Sequence, residues 1–330
     1  PTDNSNADGV ISVSSDKFND AAGNANNEVS NTVTLSVDTI EPTISIATDV
    51  TELKVGQTAT LSITLSEPST DFTADDINAA GGSITAFSGE GTSYTATFTP
   101  TDNSNADGVI SVSSDKFNDA AGNANNEVSN TVTLSIDTVE PNAPVITQPV
   151  ITTETILTNN NRPVIEGTAE PGSVVNVLIG GQEIGLDSTV STEGVFIFNF
   201  SEEEETIPDG DYLVTFTATD TAGNTSNPST GLSITIDTTA PTTPVISTTT
   251  ALTNDNTPTI EGTAEAGSIV ELFNGSDSLG TAIADVNGNF SVISSELADA
   301  DYTLTLTATD AAGNTSNPST GLSITIDTTA

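Results

Sequence analysis

The chain has 330 residues, with 46 Asp and Glu against four Lys and Arg, a net charge of −42, and no His, Cys, Met or Trp. So large a negative charge makes nucleic acid and anionic membrane surfaces unsuitable partners, and without Cys no disulfide framework can staple small modules. Catalysis would fall to carboxylates and a few lysines, with neither His nor Cys to serve as base or nucleophile.

The hydrophobic fraction of 34% is low, yet strict apolar–polar alternation recurs in short runs, as half-buried strands require and acidic disordered tails do not show. No apolar run approaches the ~18 residues of a membrane-spanning helix, so direct membrane insertion is not expected. No signal peptide begins the chain. The 330 residues are expected to belong to a longer chain, because the repeats are cut at both ends.

Residues 1–42 recur at 100–141 with two changes, Val37→Ile136 and Ile40→Val139. Segment 1–41 supplies about two strands, too few to bury a core, and reads as the C-terminal part of a truncated module. The next module covers 42–140. In it Leu61, Ile63 and Leu65 face one way, as do Tyr94, Ala96 and Phe98, and Val132, Leu134 and Ile136. Asp75-Asp76 reads as the start of a short turn.

A second module type fills 141–240 and 241–330, where "EGTAEPGSVV" at 166–175 matches "EGTAEAGSIV" at 261–270. Phe196, Phe198 and Phe200 alternate in the first of these, and Leu304, Leu306 and Ala308, then Leu322, Ile324 and Ile326, in the second. Glu202–Glu205 read as a solvated loop and "NGSDSLG" at 274–280 as a hairpin. Tyr212 and Tyr302 precede the penultimate strand, where a tyrosine corner sits. The outward positions are mostly Thr and Ser, with Gly, Asn, Asp and Pro between runs. About seven strands per module, one face wet, predict an all-β fold of tandem immunoglobulin-like β-sandwich modules arranged end to end.

"DAAGN" occurs at 20–24, 119–123 and 310–314, and "DTAGN" at 220–224. Each is followed by an alternating run and then Asp-Thr, so Asp20, Asp119, Asp220 and Asp310 are paired with Asp38, Asp137, Asp237 and Asp327. Within a module that spacing measures one loop plus one strand.

"FTADDI", "YTATFTPT", "DAAGN" and the Asp-Thr-x-x-Pro linker resemble bacterial immunoglobulin-like domains, and "EGTAExGS", "ATDxAGNTS" and "ITIDTTAP" resemble a sister type. The resemblance implies a repetitive stalk of a large extracellular adhesin, type I-secreted and RTX-type or biofilm-associated, rigidified by Ca²⁺ at the module joints. It also implies a place on the bacterial cell surface, and as partners the neighbouring modules and identical chains within a surface fibre.

Sandwich topology carries the linker acid of one module to two loops of the next. The first joint would gather Asp38, with Glu41 beside it, and Glu67 and Asp119. The second would gather Asp137, with Glu140 beside it, and Glu170 and Asp220; the third, Asp237, Glu265 and Asp310. Asp20 and Asp327 are the corresponding acids at the two ends. Such carboxylates, with backbone carbonyls, can supply the six to eight oxygens Ca²⁺ prefers, whereas Mg²⁺ demands a stricter geometry. The alternative is structural: DAAGN closes a turn through Gly and its Asp or Asn, and the linker Asp satisfies nearby amides.

Acids that recur at module ends rather than converging once in a cleft argue against an enzyme. Modules that themselves bind a carbohydrate or protein ligand remain the alternative to a stalk, and an exposed aromatic cluster on one sandwich face would distinguish them.

Overall fold

The computed structural model describes residues 2–149, 155–200, 207–249 and 251–329. The chain forms two compact units, Pro1–Glu140 with Thr221–Asn224, and Pro141–Asp220 with Thr225–Ala330. Glu202–Glu205 lie outside the described residues. Among the described residues no helix is long and apolar enough to cross a membrane.

The first unit opens with an antiparallel pair, β1 (Gly9–Ile11) and β2 (Val33–Leu35). The module after it is a two-sheet sandwich. One sheet runs β3 (Ile44–Thr48), β5 (Ala59–Ser69), β7 (Gly82–Pro100). The other runs β4 (Glu52–Lys54), β9 (Val132–Asp137), β8 (Gly108–Val112), β6 (Ile77–Ala80). The alternating residues named above turn inward, and Leu61, Ile63, Phe98, Ile110 and Leu134 form the centre of the core with Phe117. Asp75 and Asp76 lie in a 3-10 turn, Ala74–Asp76, as their sequence suggests. Its start is closed by Thr73 N and Oγ1, which donate to Asp76 Oδ2 at 2.8 and 2.9 Å.

The second unit holds two sandwiches of matching design. Their smaller sheets are β10 (Val145–Gln148), β12 (Val164–Thr168), β15 (Val195–Asn199), and β18 (Val245–Ile246), β20 (Thr259–Thr263), β23 (Asn289–Ile293). The larger sheet of the first is β11 (Ile156–Thr158), β17 (Leu232–Ile236), β16 (Gly210–Thr219), β13 (Val174–Ile179), β14 (Gln182–Thr189). That of the second is β19 (Leu252–Thr253), β25 (Leu322–Ile326), β24 (Ala300–Thr309), β21 (Ile269–Asn274), β22 (Asp277–Ile283).

Eight strands are thus described in each of these two modules, against the seven expected. The chain entering each module changes sheets partway: β10 pairs antiparallel with β12, then β11 pairs parallel with the last strand, β17. A further edge strand, β14 or β22, folds back on β13 or β21. For β22 the return is the "NGSDSLG" hairpin, with Asn274 opposite Asp277.

The glycine of each "EGTAE" has a packing reason. A Cβ on Gly167 would stand 2.3 Å from the Phe196 ring, and one on Gly262 would stand 2.1 Å from Val245 O, so only Gly fits. Tyr212 Oη donates to Pro208 O at 2.9 Å and Tyr302 Oη to Ala298 O at 3.0 Å, the corner anticipated from their position.

Candidate metal centre

The four Asp-x-Ala-Gly-Asn loops are turns organised by their own first residue. Asp119 Oδ1 accepts from the backbone N–H groups of Ala121, Gly122 and Asn123 at 2.8, 2.8 and 2.9 Å, and its Oδ2 accepts from Asn123 Nδ2 at 2.8 Å. Gly122 has φ +93°, which the turn requires and glycine supplies. Asp310 repeats the arrangement with Gly313 N (2.8 Å), Asn314 N (2.9 Å) and Asn314 Nδ2 (2.8 Å). Asp20 repeats it with Ala22 N, Asn24 N and Asn24 Nδ2, each at 2.9 Å.

These turns have an electrostatic consequence. Burial opposes the charge on Asp119 and on Asp310, but the donors, led by the Asn side chain, outweigh it and hold both carboxyls below the usual range. On exposed Asp20 the Asn24 amide does the same. The turn reading of DAAGN is therefore correct as far as it goes.

The turn also delivers an acid to the joint. In the first unit the carboxylate oxygens of Asp38, Glu67 and Asp119 all lie within 4.8 Å of one another, the single such group of three among the described residues. Asp38 follows β2 and is half-buried, Glu67 lies near the end of β5 and is half-buried, and Asp119 is 7% exposed. Burial, then the negative charges of Asp38 and Asp119, push the Glu67 carboxyl up. Such a cluster presents only acceptor oxygens, the donor set of a hard divalent cation. Glu41 is exposed and its Oε1 accepts from Asn126 Nδ2, which ties the linker to the module that follows.

In the second unit Asp237 and Asp310 are brought to one amide. Asn314 Nδ2 donates to Asp310 Oδ2 and to Asp237 O, both at 2.8 Å. Asp237 Oδ1 accepts from Thr239 N at 3.0 Å. Glu265 is exposed, and its carbonyl is held by Ser268 N (3.1 Å) and Oγ (2.7 Å). These three do not gather into a three-carboxylate group.

The remaining acids stand as follows. Asp137, half-buried at the end of β9, accepts from Val139 N at 3.1 Å, and Glu140 is exposed, both in the first unit. Glu170, exposed, and Asp220, half-buried, belong to the second unit. Asp327 is exposed and accepts from Thr329 N and Oγ1 at 3.1 and 2.7 Å, which lowers its pKa.

Attention to acids alone passes over the fifth residue of the repeat. Asn123 Nδ2 donates to Asp38 O (3.3 Å) and Asn314 Nδ2 to Asp237 O (2.8 Å), and within the first unit Asn224 Nδ2 donates to Asp137 O (3.1 Å). Each Asn therefore grips a linker carbonyl. The signal was available, since Asn closes all four copies of the repeat, Asn24, Asn123, Asn224 and Asn314.

The tyrosines are structural. Tyr94 is buried and donates to Ser69 O at 2.9 Å. Phe18 is the one strongly exposed aromatic among the described residues, so they carry no exposed aromatic cluster.

Two family models, each described as a bacterial Ig-like domain, match the chain, one at residues 38–136 and the other at 151–238 and 245–328. No curated protein shows significant sequence similarity to it. Solved structures similar to it include the fibronectin(III)-like modules of Clostridium thermocellum CbhA, at 16% identity over 56% of this chain and 94% of that one, TM-score 0.37. They also include the BSP domain of a biofilm-associated protein, at 14% identity over 88% and 67%, TM-score 0.23. A third is the ICAM-5 D1–D4 ectodomain fragment, at 12% identity over 86% and 77%, TM-score 0.33.

Proposed function

The chain belongs to the bacterial Ig-like domain family, and from that premise we propose that it is a non-catalytic extender region of a bacterial adhesin or surface fibre, stiffened by Ca²⁺ at its module joints. The setting is extracellular, on the cell surface, in an adhesin of the type I-secreted, RTX-type or biofilm-associated kind. Its nearest partners are its own neighbouring modules, joined in tandem along one chain, with identical chains alongside in the fibre. The observation that carries this reading is the convergence of Asp38, Glu67 and Asp119 within 4.8 Å. Asp38 comes from the segment before the joint, and the other two come from the module after it. A cation bound by all three would cross-link two parts of the chain that are otherwise connected by a short linker, and would relieve repulsion among the carboxylates.

Calorimetric titration of the chain with Ca²⁺ tests the reading. Glu67→Gln is the informative variant, since Glu67 acts on its neighbours through charge, whereas Asp119 also organises its turn. Ca²⁺ affinity at the first joint should fall about tenfold or more, ~1.4 kcal/mol. Unchanged binding in Glu67→Gln would remove the first joint as a Ca²⁺ site.

A further inference from the structure

Residues 1–41 carry an apolar face that the described structure leaves uncovered. Ile11, Val13, Phe18, Val33 and Leu35 are between 44% (Val13) and 63% (Phe18) exposed. Their counterparts in the repeat at 100–141 are Ile110, Val112, Phe117, Val132 and Leu134, none more than 8% exposed.

The two copies share their local structure. Gly9, Val10 and Ile11 pair with Leu35, Thr34 and Val33, as Gly108, Val109 and Ile110 pair with Leu134, Thr133 and Val132. Asn26 Oδ1 accepts from Lys17 N and Phe18 N at 2.7 and 3.1 Å, as Asn125 Oδ1 does from Lys116 N and Phe117 N at 2.8 and 3.1 Å. Ser30 Oγ takes Val13 N (2.7 Å) where Ser129 Oγ takes Val112 N (2.8 Å). The face is therefore preformed. Only its cover differs: in the complete module residues 42–99 supply β3, β5 and β7 opposite it, and β4 and β6 along its edges.

We propose that this face docks a half-sandwich of the 42–99 type. The occupant is a polypeptide segment that presents the inward pattern of Leu61, Ile63, Leu65, Tyr94 and Phe98 and is not already closed by its own 100–140 counterpart. The interface between 42–99 and 100–140 is its template, and the five apolar contact residues named are identical in 1–41.

The stoichiometry narrows the occupant. One chain carries two halves of the 100–140 kind and a single half of the 42–99 kind. Exchange between intact copies would uncover one apolar face for each it covers, so an intact second copy gains nothing. The chain's own 42–99 is out of reach as well. In the sandwich Lys54 pairs with Asp137, the counterpart of Asp38. About ten extended residues separate Lys54 from Ile44, roughly 33 Å at the rise of a strand. The six-residue linker from Asp38 to Ile44 spans at most ~20 Å.

The test uses the absence of Trp from the chain. Phe18→Trp places a single indole in the face, in the full chain and in the same chain carrying a second copy of residues 42–99 joined ahead of Pro1. The extended chain should show a blue-shifted indole, several-fold less accessible to quencher, and Leu35→Asp should restore exposure. Because the larger indole could crowd the core, the extended chain is also measured with Phe18 intact. Its calorimetric unfolding should then gain one further module's worth of enthalpy. An indole quenched equally in both chains, without that added enthalpy, would overturn the proposal. Burial that grows with concentration in the unextended chain, with dimer mass, would make a second copy the occupant and overturn it too.

Discussion

Glu67 and Asp119 share one cluster but are driven in opposite directions. The donors of its own turn hold Asp119 down, whereas burial and two negative neighbours push Glu67 up. The folded-state pKa of Glu67 is raised, so its contribution is favourable below the unfolded value and is lost as pH rises through the folded one. Asp119 has the reverse sign: its contribution is present above the unfolded value and lost as pH falls through the folded one. Without metal, Glu67→Gln should therefore stabilise the first unit at neutral pH by ~0.2–1 kcal/mol, the scale of partly exposed charge pairs, and blunt the gain on mild acidification. With saturating Ca²⁺ the same change should destabilise it. Thermal melts in chelator and in Ca²⁺ check this reversal, and a stabilising effect in both would leave the cluster without a metal. The sequence carried Asp119 and Asp38 clearly, through the repeat. It did not separate Glu67 from Glu265: the former lies in a long strand that ends beside the DAAGN turn, the latter in a Gly-containing turn closed by Ser268, which leaves it exposed.

Among the elements, strands with a full alternating period were legible and the shortest were not. Ala59–Leu65, Tyr94–Phe98 and Val132–Ile136 each show three inward residues at period 2, enough to fix a face. Glu52–Lys54 has three residues and one inward side chain, Leu53, so no period can reveal it. Its pairing is set by the twist of the opposite sheet and by the parallel partner β9, both of them tertiary. For the same reason the change of sheet at β11 and β19 does not show in their two or three letters. Leu53 is 3% exposed, so Leu53→Ala should cost ~2–5 kcal/mol of the first unit's stability. Val109→Ala, on the outer face of β8, should cost no more than ~0.5 kcal/mol. Denaturant titration distinguishes the two. A small loss for Leu53→Ala would mean that β4 is an ornament of the sandwich and not part of its closure.

For the whole molecule, the balance at each joint is between carboxylate repulsion and neutral hydrogen bonds to the linker. Asn314 holds Asp237 O and Asn159 N reaches Ala312 O at 3.2 Å in the second unit, while in the first Asn123 holds Asp38 O. Those bonds persist when a cation is withdrawn, but each contributes only ~0.5–1.5 kcal/mol net. The sandwich cores do not depend on the joints, being closed by their own apolar clusters. Chelation should therefore broaden the distribution of chain dimensions in small-angle scattering while circular dichroism keeps its β signature. Asn314→Ala removes one linker bond and no carboxylate ligand, so it should widen that distribution further in chelator and much less in Ca²⁺. If the scattering profile were the same with and without Ca²⁺ in both chains, cations would have no part in joint stiffness, and the Asn contacts alone would have to explain it.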